Sequence, residues 1–263
     1  MYNKYDIIYS LGSGCGCAMI MDHARLRSFA GPFDWIRSDD GSFDKSFMLI
    51  MNGFADFFNL EDLRLRIESK PVDPLCHAYE NVRTGYIFFH DFPKGLPMEE
   101  SFATVKKKYE RRIERFNKMI SERRRVLLIW YSFTGKNTSD EIVLRHCGEL
   151  CRKMKKKIDF LIIEHTEGLY CPLKRQIADN IVRYNCHTKP DDPDDEKAWL
   201  GNFNLVYPLF AQYQLCIPWM TVFKYNMAKL LIRFVSAFII TKDTRKLFRE
   251  RMFNKFKIPE SNR

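Results

Sequence analysis

The chain has 263 residues, 46% of them hydrophobic, enough to bury a real core as one large domain with an appendage. Its eight cysteines (15, 17, 76, 147, 151, 171, 186 and 216) are scattered, and no secretory apolar region precedes them, which sets aside a disulfide-stapled secreted scaffold and favours reduced thiols in the cytoplasm. A net charge of +10 implies an anionic partner, whether nucleic acid, anionic lipid or a phosphorylated substrate, and charge alone does not choose among them.

Residues 5–11 form a short apolar run stopped by Gly12, which predicts a buried strand, and residues 15–27 read as helix. A turn with two aromatics, Gly31-Pro32-Phe33-Asp34-Trp35, leads into a Phe-rich region read as short helices. Gly85-Tyr86-Ile87-Phe88-Phe89 predicts the next strand, ending at His90-Asp91-Phe92-Pro93. From Phe102 the apolar residues 102, 105, 109, 113, 116 and 120 recur at steps of three and four, the stripe of an amphipathic helix whose other face carries Lys106, Lys107, Lys108, Arg111, Arg112, Arg115 and Lys118.

Residues 126–133 predict a strand, Thr138-Ser139-Asp140-Glu141 a capped helix start, and residues 158–163 a further strand after a helix ending near Met154. Fully apolar strands alternating with helices predict a three-layer α/β domain with a mainly parallel central sheet covered on both faces. Residues 164–195 are polar and read as a solvated loop, and no internal repeat is visible.

We divide the chain into an α/β domain, 1–205, and a C-terminal helical, basic amphipathic segment, 206–263. The apolar stretch 223–240 is interrupted by Lys224, Lys229 and Arg233, so it lacks the roughly 18 to 20 apolar residues a membrane span needs. Lys242 to Phe253 continues as a basic amphipathic helix of the kind that lies on an anionic membrane surface; a helix packed on the domain with solvated lysines is the alternative.

The chemistry concentrates at Leu11-Gly12-Ser13-Gly14-Cys15-Gly16-Cys17. A cysteine opening a helix faces free backbone N–H groups and the positive end of the helix dipole, which predicts a lowered thiol pKa and a nucleophile. Gly12, Ser13, Gly14 and Gly16 form the turn whose amides could hold an oxyanion or a ligand. An inert buried Cys15 is the alternative, and Cys17 reads as a packed small residue.

A thiol nucleophile needs a base, and His90, at a strand end beside Asp91, is the best of six histidines. His23 points away from the start of the Cys15 helix, and His146 with Cys147 and Cys151 reads as packing. Cys76-His77 and Cys186-His187, with His165 and Cys171, match no standard zinc spacing, so no metal and no cofactor is expected. Ser13 in an esterase role lacks the Asp-x-x-His that would complete it.

Leu11-Gly12-Ser13-Gly14-Cys15, Phe29-Ala30-Gly31-Pro32-Phe33-Asp34-Trp35, Phe89-His90-Asp91-Phe92 and Tyr109-Glu110-Arg111-Arg112-Ile113-Glu114-Arg115-Phe116 together resemble a family of bacterial and viral proteins of unknown function labelled papain-like cysteine peptidases. The resemblance implies Cys15 as nucleophile, His90 as base, and Asp91 or Asp34 as the acidic orienter. It implies a distorted papain-like α+β fold as the alternative architecture, with the histidine on an antiparallel sheet, and an association with polysaccharide biosynthesis.

Two enzymatic readings follow. In the first, Cys15 and His90 perform acyl transfer or hydrolysis on a peptide or acyl substrate. In the second, the glycine-rich turn binds the phosphates of an activated sugar, helped by Arg111, Arg112 and Arg115, while the tail rests on the inner membrane leaflet. Nucleic acid is not an expected partner, because the aromatics of the basic helix lie on its apolar face and offer no stacking platform.

Overall fold

The computed structural model describes residues 3–252 apart from 13, 40, 42, 68–71, 134–136, 217–218, 240, 242–243, 246–247 and 250. In chain order the elements are β1 (Lys4–Tyr5), β2 (Ile7–Gly12), α1 (Cys15–His23), β3 (Ile36–Ser38), α2 (Phe43–Met51), β4 (Leu63–Arg66), β5 (Cys76–Asn81), β6 (Tyr86–Pro93) and α3 (Met98–Glu122). Then come β7 (Val126–Tyr131), α4 (Asp140–Met154), β8 (Asp159–His165), β9 (Leu173–Ala178), β10 (Ile181–Cys186), α5 (Phe203–Ala211), β11 (Gln214–Leu215) and α6 (Trp219–Ala237).

The molecule is a mixed α/β protein with several sheets. A five-stranded sheet runs in the order β2-β7-β8-β10-β9, parallel except for the final antiparallel pair. Successive side chains on a strand point to opposite faces, and both faces here are buried. Val126, Leu128 and Trp130 of β7 join Phe160 and Ile162 of β8 in a core with α2, α3 and α4. Leu127, Ile129 and Tyr131 join Leu161 and Ile163 in a second core with Cys17, Ile20 and Met21 of α1 and Val206 and Phe210 of α5. Residue 205 therefore lies inside a helix that packs on the sheet.

Three expectations need correction. The strand carrying His90 does not belong to the parallel sheet: β6 lies in a separate antiparallel sheet of order β3-β6-β5-β4. The Phe-rich region before it supplies β3, α2, β4 and β5 as well as a short 3-10 turn. The polar stretch 164–195 is not one loop, because β9 and β10 form a hairpin there and β10 is buried. Arg183 in the middle of β10 masked the strand pattern; its charge is matched by Glu164 and Asp140.

Other expectations hold. The stripe on α3 buries Val105, Tyr109, Phe116 and Ile120, and Ser139 caps α4 by accepting from the Ile142 amide. Among the described residues no helix is long and apolar enough to cross a membrane. Of the predicted tail helix 242–253, residues 242, 243, 246, 247, 250 and 253 lie outside the described ones.

Candidate active site

The site is assembled from both sheets. Cys15 stands at the first residue of α1, immediately after the end of β2, where the chain turns through Gly14. Gly14 has φ 92° and ψ −174°, a conformation that a side chain strongly disfavours. Gly16 is needed for a different reason: a Cβ there would sit 3.0 Å from the Trp199 carbonyl oxygen. Gly12 closes β2 with its amide donating to Ser10 Oγ at 3.0 Å. Ser13 lies outside the described residues.

From the antiparallel sheet, His90 faces Cys15 with Nε2 3.5 Å from Sγ. A bulge puts it there. Between the pairs His77–Phe92 and Tyr79–Phe88, three residues of β6 lie opposite one of β5. Simple alternation would turn His90 with Phe88 into the core; the extra residues re-aim it beside Phe89 into a cavity. Trp35 meets the imidazole edge-on with ring centroids 6.3 Å apart, and Arg27 lies over the Trp35 ring at 5.2 Å.

The third member is Asp73, in the segment between β4 and β5. Its Oδ2 lies 2.9 Å from His90 Nδ1, while Oδ1 accepts from the Leu75 amide at 2.9 Å and holds the turn. The hydrogen bond from His90, followed by that from Leu75, lowers the Asp73 pKa. Sequence reasoning did not find this residue. Asp73-Pro74 signals a turn, but nothing local says that the turn folds back to His90.

The two acids expected in that role are engaged elsewhere. Asp91 is buried, accepts from the Tyr109 hydroxyl at 2.7 Å and pairs with Lys108 of α3. Asp34 accepts from the Gly31 amide at 2.8 Å and from Arg27 at 2.9 Å, fixing the turn that carries Trp35. The cations proposed for phosphate are also turned aside: Arg112 stacks on Tyr109 at 5.1 Å and Arg115 on Phe29 at 5.0 Å. Arg111, Arg112 and Arg115 are not among the residues that line the cavity at Cys15.

That cavity has a volume of about 400 Å³. Its wall combines Gly14, Cys15, Gly16 and His90 with Trp35, Val72, Phe89, Phe133 and Trp199, and Arg37 supplies the charge. Burial in these surroundings pushes the Cys15 thiol up to about 11, against the pull of its own backbone N–H and of Arg37. The direction is the opposite of the expected lowering: loss of hydration outweighs the backbone N–H and Arg37. At neutral pH the raised value keeps the Cys15 sulfur as the thiol.

Cys17 is buried and packs toward the Ile129 carbonyl, and His146 stacks on Phe47 while bonding Asp44 at 2.9 Å. His23 bonds the Met19 carbonyl of its own helix at 2.9 Å. Folding does bring His165, Glu167 and His187 together, with one potential ligand atom from each within 4.8 Å of the others. Each imidazole accepts a backbone N–H at Nδ1, from Thr188 and Gly168 respectively, both at 3.1 Å. Those donors place the proton on Nε2, and His165 directs its own at Glu167, 3.0 Å away. This tautomer suits a hydrogen-bonded cluster that ties down the chain between β8 and β10 better than a metal.

Fold and site together define a mixed α/β protein with a thiol, an imidazole and a carboxylate in hydrogen-bonding sequence at the wall of an apolar cavity. The chain belongs to the family described as "Putative papain-like cysteine peptidase (DUF1796)", whose model matches residues 6–168. It is 32% identical over 151 residues to an uncharacterized protein of Acanthamoeba polyphaga mimivirus, a match covering 52% of this chain and 66% of that relative, just under two thirds of its length. No solved structure matches.

Proposed function

We propose that the protein is a cysteine-dependent acyl hydrolase or acyltransferase of the peptidase type, with Cys15 as nucleophile, His90 as general base and Asp73 as the residue that orients it. The observation that carries this reading is the continuous contact Sγ–Nε2 at 3.5 Å and Nδ1–Oδ2 at 2.9 Å. The family match supports it further, since its span includes all three residues.

In the first step the sulfur adds to a carbonyl carbon while His90 Nε2 takes the thiol proton, and Asp73 holds the imidazole through Nδ1–H and stabilises the imidazolium. Cys15 and Gly16 open α1 and line the cavity, and their first-turn amides are the donors we assign to the oxyanion. His90 then returns the proton to the leaving amine or alkoxide. A water, or an acceptor nucleophile in a transferase, attacks the resulting thioester with His90 again accepting the proton, and the thiol is restored. Trp35, Val72, Phe89, Phe133 and Trp199 favour an apolar side chain or acyl group beside that carbonyl. All eight cysteines are free thiols, which supports a reducing, cytoplasmic setting.

The test is covalent capture. A fluorescent peptidyl or acyl electrophile with an apolar group should label the protein at Cys15, as read by peptide mass spectrometry, and His90→Ala should slow labelling by roughly a hundredfold or more. Labelling at other cysteines alone, indifferent to His90, would reject the assignment.

A further inference from the structure

We infer that α6 lies in the plane of an anionic lipid bilayer surface, with its apolar face in the headgroup region. Phe223, Met227, Leu230, Leu231 and Phe234 are between 51% and 65% exposed. At about 100° per residue they fall within an arc of about 100° on one side of the helix axis. Among the described residues after α6, none is packed on this apolar arc. The chain folds back against the other side, where Phe248 and Met252 pack on Ile232 and Arg249 donates to Ser236 Oγ at 2.7 Å.

The charges decide what covers the face. Residues 219–253 contain eight Lys or Arg against two Asp or Glu. A second copy would bring two such positive surfaces together, which like-charge repulsion opposes, whereas an anionic surface is attracted to both. Insertion across the membrane is ruled out for α6, since among the described residues no helix is long and apolar enough to span. An apolar arc bordered by exposed Arg233, in a segment whose eight cations exceed its two acids by six, has the composition of a helix that lies flat, with Arg233 at the level of the lipid phosphates.

The experiment is co-sedimentation of the full-length protein with vesicles of phosphatidylcholine alone or with about 30 mol% phosphatidylserine. Binding is expected on the anionic vesicles only, and it should fall roughly tenfold or more at about 0.5 M salt. The double variant Leu230→Asp, Phe234→Asp, at exposed positions, should lose binding with an unchanged circular dichroism spectrum. Cys15→Ser should bind as the parent does, which separates this inference from the enzymatic one. Failure to sediment with anionic vesicles, or equal binding to neutral ones, would overturn it. So would a concentration-dependent dimer that the double variant abolishes.

Discussion

Asp73 Oδ2 lies 2.9 Å from His90 Nδ1 across 17 residues of chain, whereas Asp91, the next residue after the histidine, turns away into contact with Tyr109. The two acids should therefore separate cleanly on substitution. Asp73→Asn removes the acceptor that fixes the imidazole and should slow electrophile labelling of Cys15 by roughly tenfold to a thousandfold, with stability within about 0.5 kcal/mol of the parent. Asp91→Asn leaves the partly exposed Lys108 beside a neutral partner and should cost about 1 to 3 kcal/mol in urea unfolding, while the folded fraction labels at the parental rate.

The thiol sets the pH response. With its pKa pushed up to about 11, the thiolate fraction of Cys15 is on the order of one in ten thousand at pH 7 and grows tenfold per unit below the pKa. Alkylation of Cys15 by iodoacetamide should rise with unit slope from about pH 7 to 10, and exposed Cys171 should react first at neutral pH. A rate that is already flat from pH 6 to 8 would mean a preformed thiolate and would contradict the burial argument.

Gly14→Ala has space around its Cβ, since the nearest atoms are those of the Arg37 side chain at 3.9 Å, so its cost is conformational. At φ 92° and ψ −174° an alanine should cost about 1 to 3 kcal/mol and shift the start of α1. Chemical denaturation measures the first effect. The second should appear as weakened labelling of Cys15 in the fraction that remains folded.

Arg183→Met should destabilise the protein by about 3 to 5 kcal/mol, because it strands buried Glu164 without its cation. The double variant Arg183→Met, Glu164→Leu should recover a large part of that loss. Thermal melts of the two variants side by side check both statements.

Much of the parallel sheet was legible because its strands are apolar on both faces, and α3 was legible from the stripe Val105, Tyr109, Phe116 and Ile120. Cys15 and His90 could be singled out for the same kind of local reason: each stands where an apolar strand meets a glycine, proline or acidic break. What failed depends on partners distant in sequence. A bulge decides which way His90 and Asp91 face, and no periodicity in β6 announces it. Asp73 meets His90 through a segment that β4 and β5, once paired, hold in place, and β10 was hidden because the charge of Arg183 is cancelled by residues 19 and 43 positions away.

The division of the site between two sheets gives the aromatic packing beneath it a mechanical meaning. The sulfur rides on the parallel sheet and the imidazole on the antiparallel one, so the gap between them is a gauge of how firmly the two are held together. Phe116 of α3 stands in that seam, with Tyr9 of β2 on one side at 5.0 Å and Phe33 and Phe54 on the other at 6.2 and 6.0 Å. It acts as a rivet. Loosening it would slacken the 3.5 Å alignment of sulfur and imidazole without touching either, and a partner that pressed on the seam would have a grip on their contact.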